Sequence, residues 1–184
     1  MSTAAPQQTA DPTARNRLGD MLVTTFGLGR LHPAPGTWGS LPPCALAAGL
    51  LLVGLGPHDG QLAFAIYHVS LIGLMLASCA ACIAFGDSAE ARWGKDPSPV
   101  VADETAGQCI PLLLLPQAIG PLGGWWGAVA LIAIAFVAFR LLDIFKPFPA
   151  GDAQNIRGPW GVLVDDLVAG LYALALVQAL ALLL

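Results

Sequence analysis

Apolar and polar positions are segregated along this chain into blocks. Residues 41–56, 61–85, 121–139 and 167–184 are apolar runs, and the segments between them hold nearly all the charge. Uninterrupted apolar runs of this kind predict buried or membrane helices, and a helix needs roughly 17–25 apolar residues to span a bilayer. The run at 61–85 meets that length easily, those at 121–139 and 167–184 lie near its lower limit, and 41–56, which begins Leu41-Pro42-Pro43, is marginal. A fifth piece, residues 105–119, would reach roughly 22 Å as a helix. It predicts either a short crossing or a re-entrant segment sheltered by its neighbours. The expected architecture is all-α: a polytopic membrane helical bundle of four long helices plus one short crossing or re-entrant segment.

Composition agrees with that pattern. The chain is 56% hydrophobic and 11% charged, with a mean hydropathy of +0.70, whereas soluble domains are about 25% charged. Its 184 residues fit one domain, expected at 21–184 behind a polar, disordered, cytoplasmic N-terminal segment at 1–20. That segment carries Arg15 and Arg17 and has no apolar region of the kind a cleaved signal peptide needs. A net charge of −4 gives no basis for nucleic-acid binding. Cys44, Cys79, Cys82 and Cys109 lie in or beside apolar runs, so they are expected to be packing residues; Cys79 and Cys82 form a C-x-x-C with no second ligand pair.

The basic residues then orient the chain. Arg15, Arg17 and Arg30 precede the first run, Arg92 and Lys95 follow the second, and Lys146 and Arg157 precede the last. The loops at 57–60 and 116–124 have none. The positive-inside rule places the charged segments in the cytoplasm and the bare loops outside, provided the fifth piece crosses. Trp125 and Trp126 suit an outer interfacial belt.

Acidic residues need another account. Nine of the twelve Asp and Glu fall between Asp87 and Asp166. "VADETAG" (101–107) opens one apolar segment and "VDDLVAG" (164–170) opens the last, so Asp103 and Gly107, like Asp166 and Gly170, are four apart and share a helix face. Each glycine leaves room one turn below a carboxylate for another helix or a ligand. Acids at a helix start also complement its dipole, which accounts for one acid per helix better than for two adjacent acids, twice. The pattern predicts a shared divalent-metal site, and oxygen-only ligands suit Mg2+, Ca2+ or Mn2+ rather than Zn2+.

Two further motifs carry chemistry. "GLGRLHPAPGTWGS" (27–40) reads either as a plain loop or as an anion cradle built from bare backbone N–H groups; no Lys follows its glycines, so it is not a Walker A loop. His32 there is either a solvated loop histidine or a base. In "FRLLDIFKPFP" (139–149), Arg140, Asp143 and Lys146 are three apart and fall on one side of a helix that Pro147 stops. The two cations either snorkel at an interface or hold phosphate, with Asp143 on the metal.

Together, "APGTWGS" (34–40), "VADETAGQ" (101–108), "FRLLDIFKPFP" (139–149) and "GVLVDDLVAG" (161–170) resemble the phosphatidylglycerophosphatase A family of bacterial membrane lipid phosphatases, in family order, from about residue 27 to the end. The resemblance implies an all-helical enzyme of the bacterial inner membrane. Such an enzyme hydrolyses the terminal phosphomonoester of phosphatidylglycerophosphate, with Mg2+, to phosphatidylglycerol and phosphate, and so supplies membrane and cardiolipin synthesis. On that basis Asp103, Glu104, Asp143, Asp165 and Asp166 are expected as metal ligands. Asp103, Glu104, Asp143 and Asp166 are the expected catalytic group, acting on water by in-line attack at the cytoplasmic face. Gly36, Thr37, Gly39, Ser40, Arg140 and Lys146 are expected to bind the phosphate of a phospholipid in the inner leaflet. The rival expectation is an ion- or proton-coupled transporter, since intramembrane acids often line pathways; the acids here fall at the ends of the apolar runs.

Overall fold

A computed structural model describes residues 12–95, 97–117, 123–146 and 158–183. Among them the regular structure is helical throughout. In chain order it comprises α1 (Pro12–Val23), a 3-10 turn (Leu28–Arg30), α2 (Pro35–Gly39), α3 (Leu41–Leu52), α4 (Gln61–Trp93), α5 (Ala102–Leu113), α6 (Gly124–Phe145) and α7 (Pro159–Ala181).

The all-helical expectation is met, but the count of long helices is not. Among the described residues α4, α6 and most of α7 are long and apolar enough to cross a membrane. The first apolar run instead gives α3, whose 12 residues reach about 18 Å, short of a hydrocarbon core of about 30 Å. Gly54 takes a left-handed φ of 72° and turns the chain immediately after it. Residues 12–20, expected to be disordered, belong to α1, where Gly19 packs on the Phe85 ring and Asp20 pairs with Arg92 of α4. Residues 1–11 lie outside the described part.

The fifth piece is the centre of the molecule. Ten of the twelve residues of α5 are buried, and α7 and α4 pack against it most extensively. Both of its ends are held by neighbouring elements. Its start takes a backbone hydrogen bond from Val101 N to Val23 O, while at its far end Tyr67 and His58 bond the Leu112 and Leu115 carbonyls. Bilayer lipid supplies no hydrophobic force between helices, so close packing must come from small residues. At the α5–α7 crossing a Cβ on Gly107 would stand 2.5 Å from Asp166 O, and one on Gly170 would overlap Gly107 O. Pro111 lacks the N–H that would otherwise bond Gly107 O within the helix. That carbonyl therefore faces the neighbouring backbone.

The apolar core fills the middle and one end: Tyr67, Leu71, Leu112, Leu131, Ala135 and Val177 are buried there together. Cys82 lies in a second cluster with Ala81, Ala102, Ala106 and Leu163, and Cys79 packs at its border, as expected of packing residues. Buried polar side chains gather at the other end: Thr25, Ser40, Asp103, Thr105, Asp143, Asp165 and Asp166.

Candidate active site

The buried stripe of α6 runs Gly127, Leu131, Ala135, Phe139 and then Asp143, at spacings of four. In α7, Asp166, Gly170, Ala173 and Val177 form the matching stripe. Each stripe is apolar through the core and ends in a carboxylate, so the packing that assembles the bundle also brings the acids together. In α5, Asp103 and Glu104 occupy the first turn, where the helix dipole favours negative charge, and Asp103 Oδ1 accepts from Glu104 N at 3.1 Å.

Asp103, Glu104 and Asp166 each offer a carboxylate oxygen, and these oxygens lie within 4.8 Å of one another. Asp143 meets Asp166 at the edge of this group. The remaining contacts divide the five predicted ligands. Arg140 Nη1 lies 2.7 Å from Asp143 Oδ2 and 4.0 Å from Glu104 Oε1, while Lys146 Nζ pairs with Asp165 Oδ2. Three carboxylates thus converge, one borders them, and Asp165 is turned to a lysine. The expectation that Lys146 continues the helical row of Arg140 and Asp143 is corrected. Lys146 caps α6 with a left-handed φ of 46° and reaches α7; Pro147 and the rest of that motif lie outside the described residues.

A second correction concerns placement along the helices. The expected last span began at residue 167, but α7 begins at Pro159, so Asp165 and Asp166 sit about two turns inside it. Both lie inside the stretch Trp160–Ala181 that is long and apolar enough to cross a membrane, in its first two turns. The level of Cys82 and Gly86, which border Asp103, lies about 30–38 Å along α4 from Gln61, which matches the thickness of a hydrocarbon core.

Above the carboxylates is a cavity of about 270 Å3 lined by Gly36, Ser98, Asp103, Glu104, Arg140, Asp143, Lys146 and Asp166. Of the predicted phosphate-binding residues, Gly36, Arg140 and Lys146 border it. Thr37, Gly39 and Ser40 do not. Ser40 is buried; its hydroxyl donates to Gly36 O at 2.8 Å and accepts from Arg140 at 3.5 Å. Gly39 packs on Val101. Gly36 is where only hydrogen fits, because a Cβ would overlap Glu104 Oε1 and lie 2.9 Å from Arg140 Nη2. His32 is exposed in the loop.

Thr105 and Thr25 were not singled out by spacing. The Thr105 hydroxyl lies 2.7 Å from Gly39 O, 3.0 Å from Val101 O and 2.9 Å from the Thr25 hydroxyl, tying the 34–40 loop to α5. A threonine inside a buried acidic motif was the available signal.

Do these residues fit a divalent cation? Among the described residues, five carboxylates gather with two cations, Arg140 and Lys146. Burial, and next the adjacent Asp103 carboxylate, push the Glu104 carboxyl well above its ordinary range, the response of an acid short of positive charge. Glu104 Oε2 is buried with no hydrogen-bond partner among the described residues. An all-oxygen donor set with a spare lone pair suits a hard cation. At Lys146 burial lowers the pKa, but the hydrogen bond and charge of Asp165 outweigh it and hold the ammonium above its ordinary value.

The family model for phosphatidylglycerophosphatase A matches residues 21–181. A Bacteroides thetaiotaomicron protein provisionally named a phosphatidylinositol-3-phosphatase is 35% identical over 158 residues, covering 85% of this chain and 89% of its own. Proteins named phosphatidylglycerophosphatase A are 33% identical in Haemophilus influenzae, covering 87% of this chain and 86% of their counterpart, and 30% identical in Escherichia coli, covering 82% and 76%. No solved structure gives a significant match. The match over nearly the whole helical bundle, with the acidic cavity inside it, shows that the chain belongs to the phosphatidylglycerophosphatase A family.

Proposed function

We propose that this protein hydrolyses the terminal phosphomonoester of phosphatidylglycerophosphate to phosphatidylglycerol and inorganic phosphate. We place the reaction on the cytoplasmic face of the bacterial inner membrane, with Mg2+ as cofactor. The observation that carries the reading is the convergence of Asp103, Glu104 and Asp166 in a cavity that also holds Arg140 and Lys146. A phosphomonoester carries up to two negative charges, and bare carboxylates would repel it. Mg2+ held by Asp103, Glu104 and Asp166, with Asp143 beside them, would reverse that field and make water a better nucleophile.

The protein's own groups do the rest. Arg140, fixed by Asp143 and Ser40, presents its guanidinium to the phosphate oxygens, and Lys146, which also lines the cavity, adds a second positive charge. Gly36 keeps the cavity wall open beside Glu104 and Arg140. A carboxylate of the cluster takes a proton from the attacking water as its oxygen bonds to phosphorus, the P–O bond to the lipid breaks, and the carboxylate returns that proton to the leaving glycerol oxygen. Trp38, Leu41, Leu141, Ile144 and Phe145 are exposed on α2, α3 and α6 around this end of the bundle. They give the acyl chains an apolar surface, so the lipid need not leave the bilayer.

The transporter reading is not favoured. A pathway needs polar groups through the span, and the middle of the bundle is apolar, with Leu71, Leu112, Leu131 and Ala135 buried in contact.

The test is phosphate release from phosphatidylglycerophosphate in mixed micelles, with and without Mg2+, for wild type and Asp103→Asn, with phosphatidylinositol 3-phosphate as the competing headgroup. The expected result is Mg2+-dependent release that Asp103→Asn abolishes, fastest on phosphatidylglycerophosphate. Activity that survives full chelation, or a fully active variant, would refute the site; preference for the inositol lipid would refute the substrate.

A further inference from the structure

Glu104 Oε2, both side-chain polar atoms of Gln108 and Arg140 Nε are buried and have no hydrogen-bond partner among the described residues. Buried polar atoms in folded proteins nearly always have one. Gln108 has no exposed surface, and it lies one turn beyond Glu104 on α5, so their Cβ atoms share a face about 5–6 Å apart. Arg140 approaches the same face from α6, its Nη1 4.0 Å from Glu104 Oε1, and the preceding Phe139 ring packs on Gly107.

A cation at the carboxylate cluster accounts for only part of this. It can take a lone pair of Glu104. It cannot satisfy Gln108 Nε2 or Arg140 Nε, which are N–H donors and need an acceptor. Substrate phosphate can accept from Arg140, which lines the cavity, but Gln108 does not line it. The small species that accepts from an amide N–H and also donates to an amide or carboxylate oxygen is water. Internal waters typically make about three such bonds to groups that otherwise lack partners.

We propose that Gln108, Glu104 and Arg140 enclose an internal water site behind the carboxylate cluster. Gln108 is then a positioning residue: through this water it fixes the Glu104 carboxylate in the orientation that faces Asp103 and Asp166. The inference rests on the reading of those three acids as a divalent-metal site. Groups that orient a metal ligand affect metal binding without touching the metal, typically by about 10–100-fold in affinity.

The experiment is calorimetric titration of the detergent-solubilised full chain with Mg2+, together with its unfolding temperature in chelator. Gln108→Met keeps the volume and removes the polar atoms. Its expected signature is a folded protein whose unfolding temperature in chelator is somewhat below wild type, because the water, Glu104 and Arg140 lose a partner, with Mg2+ affinity lowered by about tenfold. In a Glu104→Gln background the same substitution is expected to change Mg2+ affinity no further. A Gln108→Met protein that binds Mg2+ as tightly as wild type overturns the inference, as does an equal loss in both backgrounds. If Gln108→Met fails to fold, Gln108→Asn, whose amide is drawn back by one methylene, is read by the same criteria. Wild type that binds no Mg2+ is a separate result: it removes the metal site itself, and this inference with it.

Discussion

At one end of the bundle His58, Asp59, Leu115 and Trp125 border an opening of about 370 Å3; at the other, Asp103, Glu104, Arg140 and Asp166 border one of about 270 Å3. The polar groups of the larger opening serve the backbone. His58 Nε2 lies 3.0 Å from Leu115 O, and Asp59 Oδ2 accepts from Gly56 N at 2.8 Å, closing the turn between α3 and α4. At the smaller opening the charges exceed any such need. Among the described residues carboxylates outnumber cations there, and Glu104 Oε2 is left without a partner. Size is therefore a poor guide to where chemistry occurs in this bundle; unspent buried charge is the better one.

Substitutions can break that contrast. The largest effect is expected at the carboxylate cluster, where Asp103→Asn or Asp166→Asn lowers kcat for phosphate release by about a thousandfold, and chelation does the same to wild type. Next comes Arg140→Lys. An ammonium cannot bridge Asp143, Ser40 and a phosphate as a planar fork does, and steady-state assays should show a loss in kcat/KM of about a hundredfold. Gly36→Ala pushes a methyl group toward Glu104 and Arg140; the displaced groups should cost about tenfold in kcat/KM with little change in unfolding temperature. The smallest effect is expected at the other end. Asp59→Ala removes a turn hydrogen bond worth about 1 kcal/mol, so thermal unfolding shifts slightly while phosphate release stays within about twofold. A loss at Asp59 as large as that at Arg140 would erase the distinction between the two ends.

The sequence carried the membrane-facing part of the fold more clearly than the helix limits. Apolar runs report which residues avoid water, whereas a helix ends where its backbone hydrogen bonding ends. Thus α4 continues through Asp87 and Glu90 to Trp93, and α7 starts at Pro159, well before its apolar run. The short α3 was overcounted for the same reason, since apolar character does not imply spanning length. In the site, the Asp-x-x-x-Gly spacing placed Asp103 and Asp166 on facing stripes with Gly107 and Gly170 between them, because that spacing is a property of one helix. Which acid meets which base was not legible. It depends on how α6 and α7 cross and on the left-handed turn at Lys146, which sends its ammonium to Asp165. Gln108 sat within a recognised motif, but its complete burial exists only once α5 is enclosed.

The enclosure of α5 has a consequence for the lipid environment. Bilayers differ in thickness, and helices exposed to the acyl chains answer by tilting at a cost of fractions of a kcal/mol per Å of mismatch. Here the helix that carries Asp103 and Glu104 is about 18 Å long and buried along ten of its twelve residues, so its own length need not match the bilayer. It is joined to α7 by backbone contact at Gly107 and Gly170, so the acids on α5 and α7 move as one piece, while Arg140 and Asp143 ride on α6, one of the helices apolar enough to face the acyl chains. A change of acyl-chain length in vesicles is then expected to alter phosphate release through the tilt of α6, which carries Arg140 and Asp143, and through how the substrate is presented, not through separation of the acids on α5 and α7.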